Sequence, residues 1–146
     1  MKISDLLSPT DVMTDVRASN KRVLLQELAT RAANSLDLNI DQVAPYLLKR
    51  EGLGSTGIGG GIAIPHARLP DLQRPYGLLA KLKAPIEFDA IDGQAVDLVF
   101  VLLLPAAAES EQLGALALVA RRLRPPENRA RLRAAKNASE LYSAIA

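Results

Sequence analysis

A run of almost continuously apolar residues, 96–104, constrains the fold of this chain more than any other feature. Its only charged residue is Asp97, and the run stops at Pro105. A strand with apolar side chains on both of its faces has to be covered on both faces, which is typical of the central strand of an α/β sheet. The run is far too short to span a membrane as a helix. We therefore predict an α/β fold in which a sheet lies between layers of helices.

Three other segments have the pattern of strands. Residues 76–83 alternate, with Leu78, Ala80 and Leu82 on one face. Residues 62–64 predict a short buried strand, and residues 12–16 predict a short edge strand. The sequence Ser8-Pro9-Thr10-Asp11 before the edge strand is typical of a turn.

Helical patterns occupy the rest of the chain. A first helix should cover about 20–36 with Ser19 as its N-cap, and a second about 40–48 with Asn39 and Gln42 as a capping pair and a distortion at Pro45. A third helix should stop at Pro125-Pro126, where another can begin, and a closing helix should follow Ser139. The third helix is expected to turn five apolar residues toward the core: Leu113, Leu116, Ala117, Ala120 and Leu123.

Composition excludes several kinds of function. The 146 residues are enough for one compact domain, 1–146, and they contain no cysteine and a single histidine, His66. A disulfide framework, a thiol nucleophile and a Cys- or His-rich zinc site are therefore excluded, and we expect no metal and no cofactor. A net charge of +2 with 3% aromatics does not favour nucleic-acid binding. The N-terminus lacks the pattern of a secretory signal, so we expect a cytoplasmic protein.

The most informative stretch runs from Arg50 to Arg68, and six of the nine glycines lie within 52–61. Glycines permit a positive φ and a close approach to a ligand, and successive N–H groups in such a loop can form a nest for an anion. The candidate donors to an anion are Arg50, Ser55 and Thr56. The stretch lacks the Gly-Lys-Ser/Thr ending of a Walker loop.

His66 follows this loop directly after Pro65, which restrains the backbone on either side. Imidazole titrates near neutral pH and can act as a nucleophile on phosphorus. A carbonyl bonded to one ring nitrogen would leave the other nitrogen free to react, but the sequence does not say which. A structural histidine beside an ordinary glycine turn is the alternative, and the residues alone leave both open.

The stretch resembles the enzyme IIA family of the bacterial phosphotransferase system, in its mannitol/fructose class and most closely the nitrogen-related, PtsN-type branch. The resemblance rests on Gly54-Ser55-Thr56-Gly57-Ile58-Gly59 with Gly61-Ile62-Ala63-Ile64-Pro65-His66. Further matches are Phe88-Asp89-Ala90-Ile91-Asp92-Gly93-Gln94 and Leu118-Val119-Ala120-Arg121-Arg122-Leu123.

The resemblance implies a mixed, roughly five-stranded sheet between helices, and a phosphoryl group accepted on His66 from a phosphocarrier of the HPr or NPr type. Members of the nitrogen branch regulate partner proteins through their phosphorylation state, and the partner here is not specified. Arg50 matches the motif arginine that stabilises the phosphate, and the expected supporting residues are Ser55, Thr56, Gly57, Gly59, Arg68 and Gln112.

Two positions depart from the family pattern. Gln112 stands where many members have a second histidine, and glutamine can donate a hydrogen bond but cannot be a cation. Ala67-Arg68 replaces Gly-Lys, which would strain the backbone if Ala67 needed a positive φ. Gln112 therefore leaves open a module that only binds partners, and a stand-alone component of a sugar system is the other alternative.

The charged residues outside this stretch have simpler interpretations. Asp89, Asp92 and Asp97 are expected to hold turns and not a metal. Seven basic residues near the C-terminus predict either a solvated face, which we favour, or a docking surface for an acidic partner: Arg121, Arg122, Arg124, Arg129, Arg131, Arg133 and Lys136.

Overall fold

The computed structural model describes residues 1–107 and 109–146, and of residues 109–112 it describes only the backbone. Within this part of the chain there are six α-helices: α1 (Ile3–Leu6), α2 (Lys21–Leu36), α3 (Ala44–Leu53), α4 (Glu109–Leu123), α5 (Pro126–Ala134) and α6 (Ala138–Ile145). A 3₁₀ turn at Ile40–Gln42 precedes α3. None of the described helices is long and apolar enough to cross a membrane.

The sheet of the described chain has six strands: β1 (Leu7–Val16), β2 (Gly57–Gly59), β3 (Ile62–Ala63), β4 (His66–Leu69), β5 (Tyr76–Ile86) and β6 (Val96–Pro105). Its order is β1-β5-β6-β3-β2, and β4 also pairs with β6. The β1–β5, β3–β6 and β4–β6 pairs are parallel, whereas β2–β3 and β5–β6 are antiparallel. The mixed sheet is therefore confirmed, with one strand more than expected.

The prediction that the apolar run forms a central strand is confirmed. Leu98, Phe100 and Leu102 of β6 are fully buried in a cluster with α1, α4, α5 and α6. Val99 and Val101 are fully buried in a second cluster with α2 and α3. Successive side chains of a strand point to opposite faces, so this one strand contributes to both cores.

Three helix-end predictions are resolved by the structure. The N-cap of α2 is Asn20, whose Oδ1 accepts a hydrogen bond from the Val23 N–H at 2.9 Å, so the prediction of Ser19 is wrong by one residue. The cap of α6 is Asn137 and not Ser139. The Asn39–Gln42 capping pair is confirmed, with Asn39 N–H donating to Gln42 Oε1 at 2.8 Å.

The second helix divides at Pro45. A 3₁₀ turn ends before it, and α3 begins at Ala44 with the proline in its first turn. Proline is tolerated there because the first N–H groups of a helix have no intrahelical partner.

The turn predicted at residues 8–11 is wrong, because these residues belong to the edge strand β1. The pairing of β1 with β5 is irregular between Leu7 and Val12, so the strand accommodates Pro9 at a break in the ladder.

The orientation predicted for the third helix is also wrong in part. Among the described side chains of α4, those of Ala115, Val119 and Leu123 are fully buried, whereas that of Leu113 is 75% exposed. Apolar residues occur all around this helix, so spacing alone could not select the face that packs on the sheet. The stop at Pro125-Pro126 is confirmed, since α4 ends at Leu123 and α5 begins at Pro126.

Candidate functional site

His66 is the first residue of β4, where the chain resumes pairing with β6 after Pro65. Its imidazole is half-buried, and Nδ1 lies 2.8 Å from the carbonyl oxygen of Ile64. A carbonyl can only accept a hydrogen bond, so Nδ1 bears the proton and Nε2 keeps its lone pair. None of the described residues hydrogen-bonds to Nε2. The backbone of this chain thus selects the nitrogen that is free to react.

Burial lowers the pKa of His66 below the ordinary histidine value of 6.5. The positive charge of Arg50 acts in the same direction, while the bond to Ile64 and the charge of Glu51 oppose it. The ring is therefore mainly neutral at pH 7, which is the form that can attack an electrophile.

His66 opens onto two adjoining cavities that also share Arg50 and Leu116. The larger has a volume of about 600 Å³ and the smaller of about 230 Å³. Arg50 comes from the last turn of α3, where one Nη donates to the Gly54 carbonyl at 2.9 Å. The predicted proximity of Arg50 and His66 is thus present in the structure.

The hydroxyl groups of Ser55 and Thr56 are already engaged within the protein. Ser55 Oγ donates to the Phe88 carbonyl at 2.6 Å, and Thr56 Oγ1 donates to Glu51 Oε1 at 2.5 Å. Both residues line the smaller cavity. In this structure they hold the loop in place and do not offer their hydroxyl protons to a ligand.

Glu51 of α3 anchors this loop. The carboxylate is buried, accepts a second hydrogen bond from the Thr56 N–H at 2.8 Å, and lies 2.8 Å from Lys21 Nζ. Lys21 Nζ also lies 4.7 Å from the centroid of the Phe88 ring, in a cation–π contact. The network ties α2, α3 and the glycine-rich loop together beside His66.

The turn of the glycine-rich loop holds one of the protein's own carboxylates. Gly59, Gly60 and Gly61 all have a positive φ, and the Gly60 N–H donates to Asp92 Oδ2 at 3.0 Å. This bond, with a second from Gln94, lowers the pKa of Asp92. Of the N–H groups in this turn, that of Gly60 is therefore bonded to a carboxylate of the protein itself, and the structure does not show the predicted nest of successive N–H groups around one anion.

The other predicted supporting residues are spread around this centre. Gly57 packs so tightly on Ala90 that an added Cβ would lie 2.8 Å from the Ala90 Cβ. Arg68 is an exposed residue of β4 that lines the larger cavity, and Ala67 adopts an extended conformation, so the expected strain is absent. Gln112 lies in α4, but its side chain is outside the described residues.

Asp92 holds turns as the sequence predicted, because its carboxylate accepts the N–H groups of Gly60 and Gln94. Asp97 does not hold a turn in this way and instead forms a salt bridge with Arg133 at 2.9 Å. Arg133 also donates to the Gly60 carbonyl at 2.6 Å. Part of the basic C-terminal run is thus used inside the fold.

Two features of the site were not found from the sequence. Tyr46, Leu53 and Leu113 are 40%, 80% and 75% exposed and line the larger cavity, forming an apolar rim around His66. Arg124 lines the smaller cavity with His66. The signal for the rim was available, since exposed apolar residues that cluster are typical of interaction sites, but it required knowing which face of α4 is buried.

Comparison with known proteins gives the same family as the residues. The model of the family described as "Phosphoenolpyruvate-dependent sugar phosphotransferase system, EIIA 2" matches residues 5–146. A nitrogen regulatory protein of Bradyrhizobium diazoefficiens is 44% identical over 146 residues, which cover 100% of this chain and 95% of that protein.

Solved structures agree with this result. The nitrogen regulatory protein IIA-Ntr from Neisseria meningitidis matches with a TM-score of 0.93 and 31% identity over 99% of both chains. A complex of enzyme IIAMTL and phosphorylated enzyme IIBMTL from Escherichia coli matches with a TM-score of 0.79 and 14% identity, over 96% of this chain and 98% of that chain. The latter likeness concerns the fold alone.

The chain therefore belongs to the EIIA type-2 family of the phosphoenolpyruvate-dependent phosphotransferase system. Within this family, its similarity to proteins named nitrogen regulatory protein extends over the full length of the chain.

Proposed function

We propose that this protein accepts a phosphoryl group on Nε2 of His66 from a phosphocarrier of the HPr or NPr type, and that its phosphorylation state regulates the binding of partner proteins. The observation that supports this proposal most strongly is the 2.8 Å bond between His66 Nδ1 and the Ile64 carbonyl. It fixes one tautomer and directs the reactive lone pair to Nε2.

The proposed transfer needs no movement of a proton at His66. The Nε2 lone pair forms the new N–P bond, and the bond between phosphorus and the carrier's histidine breaks, with its electron pair remaining on that nitrogen. The Nδ1 proton stays on His66, and the Ile64 carbonyl that accepts its hydrogen bond helps to stabilise the positive charge that develops on the ring.

Arg50, which lines both cavities with His66 and acts electrostatically on its ring, is the first candidate for stabilising the transferred group. A guanidinium matches the geometry of phosphate oxygens, and charge on those oxygens has to be balanced in the transition state. Ser55 and Thr56 act by holding the loop beside the ring, and Gly57 and Gly59 by allowing its tight packing and its turn. Arg68 adds positive charge at the wall of the larger cavity.

The rim of Tyr46, Leu53 and Leu113 is the proposed contact for the phosphocarrier. An apolar ring around a reactive group excludes water when a partner docks, and water would otherwise hydrolyse the phosphoryl group. One solved structure with this fold is a complex of enzyme IIAMTL and phosphorylated enzyme IIBMTL, so a protein of this fold binds a phosphorylated protein partner.

Phosphoryl transfer is tested by mass spectrometry. The protein is incubated with phosphoenolpyruvate, enzyme I and an HPr- or NPr-type carrier, and an acid-labile gain of about 80 Da is expected. His66→Ala should gain nothing. If the wild type stays unlabelled with several carriers, or if His66→Ala is labelled equally, the proposal is wrong.

The regulatory part of the proposal is tested by partner capture. Wild type, His66→Ala and the phosphate-mimicking His66→Asp are compared for the partners they retain. A switch predicts that His66→Asp differs from His66→Ala. Identical partners for all three would favour a module that only binds, the alternative that Gln112 leaves open.

A further inference from the structure

Arg124 lines the smaller cavity together with His66 and Arg50. We propose that Arg124 is a second cation for the phosphoryl group on His66, binding its oxygens from the end of α4 while Arg50 binds them from α3. This inference rests on the proposed function of His66 as a phosphoryl acceptor.

The geometry of α4 places Arg124 in this cavity. Leu116, Ala120 and Arg124 recur every four residues and therefore follow one side of the helix, and all three line the cavity that contains His66. The Arg124 N–H donates to the Ala120 carbonyl at 2.9 Å, so the helical path continues to Arg124. Pro125 then ends it.

The end of a helix is a favourable place for a cation. The unpaired carbonyls there carry partial negative charge, which stabilises a positive side chain. The Arg124 carbonyl itself accepts a hydrogen bond from Arg129, so the backbone of this residue is held by α5. The guanidinium thus extends from a fixed point.

Arg124 differs from the other arginines that contact this region. Arg133 is bound to Asp97 and Gly60, Arg129 to the Arg124 carbonyl, and Arg50 to the Gly54 carbonyl. Within the described part of the chain, the guanidinium of Arg124 has neither a hydrogen bond nor an ion pair. Its donors are therefore available to an anion.

The charges that face this cavity favour a dianion. Arg50 and Arg124 are positive, and the nearby carboxylate of Glu51 is already paired with Lys21 at 2.8 Å. Asp89 lines the adjoining cavity together with Arg124, so it is a carboxylate that competes for the guanidinium. A phosphoryl group has twice the charge of that carboxylate and offers three oxygens to donors.

The test uses the ³¹P signal of the phosphoryl group on His66. The group is introduced with phosphoramidate, a small phosphoryl donor, so that the result does not depend on a protein carrier. Arg124→Gln is compared with Arg122→Gln, which removes the same charge two residues earlier and about 200° around the helix. Arg124→Lys tests whether charge alone is sufficient.

We expect Arg124→Gln to raise the midpoint of the second ionisation of the phosphoryl group by about half a pH unit, because a cation favours the dianion. Transfer from the carrier should slow by about tenfold, which is less than the roughly hundredfold or greater loss typical of removing an oxyanion-hole donor, because Arg50 remains. Arg122→Gln should change neither by more than about a third of these amounts, and Arg124→Lys should recover part of both.

Three results would overturn the inference or its basis in distinguishable ways. Equal titration midpoints and rates for Arg124→Gln and Arg122→Gln would show that Arg124 does not contact the phosphoryl group. Labelling by phosphoramidate but not by any carrier would contradict the proposed donor, while the midpoints still decide the role of Arg124. No labelling of His66 by either donor would remove both proposals.

Discussion

The glycine turn at 59–61 and the segment Ile64–His66 lie at opposite ends of one short stretch of chain. They differ in whether their polar groups are hydrogen-bonded within the protein. At the turn, Asp92 accepts the Gly60 N–H and Arg133 donates to the Gly60 carbonyl, so the polar groups are satisfied internally. Among the described residues, the His66 ring is hydrogen-bonded only through Nδ1, and His66 lines two cavities that arginines also line. One sequence motif thus contains a structural half and a half suited to chemistry.

The largest expected effect is a loss of phosphoryl labelling that follows substitution of His66 but not substitution of Asp92 at the glycine turn. His66→Ala should abolish phosphoryl labelling, whereas Asp92→Asn should keep it within about twofold, because Asp92 serves the turn and not the ligand. Labelling kinetics by mass spectrometry measure both. A comparable loss in Asp92→Asn would mean that the turn is part of the reaction site.

Removal of Glu51 should have the next largest effect, on stability. Glu51→Ala leaves Lys21 without its partner and the Thr56 N–H and hydroxyl without an acceptor. Breaking a buried, hydrogen-bonded ion pair typically lowers the free energy of unfolding by about 3 kcal/mol. Urea unfolding measures the change, with Glu27→Ala, an exposed residue of α2, as the matched control.

If Glu51→Ala were no less stable than Glu27→Ala, the loop beside His66 would not depend on this network. The positions of Ser55 and Thr56 would then have to depend on other contacts.

A smaller effect is expected from the backbone of the turn. Gly60→Ala forces a side chain into a φ of +67°, which typically lowers stability by about 1–2 kcal/mol. Gly52→Ala, in α3 with nothing within 4 Å of its added Cβ, should instead raise stability by up to about 1 kcal/mol. Thermal unfolding of the two variants compares a turn glycine with a helix glycine, and effects of equal sign would contradict this division.

The smallest effect concerns pH. Because burial lowers the pKa of His66, the unfolded chain binds this proton more readily than the folded chain does. Stability should therefore fall as the pH is lowered through 6.5 toward the folded-state pKa, and rise again with pH. Melting temperatures between pH 5 and 7.5, read against His66→Gln, isolate this contribution, and parallel curves for the two proteins would show that the pKa is not lowered.

Much of this architecture could be predicted from the sequence. The run 96–104 identified the central strand, since nine positions with one charged residue can hardly be anything but a strand buried on both faces. Pro125-Pro126 marked a helix boundary because proline cannot continue a helix but can begin one. These signals are local, so they did not depend on tertiary context.

The predictions that were wrong, or that could not be made, share a different cause, which is tertiary context. The facing of α4 depends on which side meets the sheet, and Leu113 is as apolar as the residues that are buried. Residues 8–11 form a strand because β5 supplies a partner, in spite of their turn composition. The bond between the Gly60 N–H and Asp92 could not be predicted, since Asp92 lies 32 positions away from Gly60 in the sequence.

The candidate site likewise contains residues that the sequence identified and one that it did not. His66 and Arg50 were identified by the motif, and the structure places them on a common pair of cavities. Arg124 was only one of seven basic residues in the sequence, and its difference from Arg133 and Arg129 is a matter of which partner each meets. The sequence shows how many basic residues are present, but it does not show which of them is free to bind an anion.

The Ile64 carbonyl holds the Nδ1 proton of His66, and this hydrogen bond leaves Nε2 to react. Long-range ¹H–¹⁵N NMR of the single histidine, before and after phosphorylation, tests this most directly. We predict a protonated Nδ1 in both states and the phosphoryl group on Nε2. A phosphoryl group on Nδ1, or a free protein with its proton on Nε2, would contradict the account.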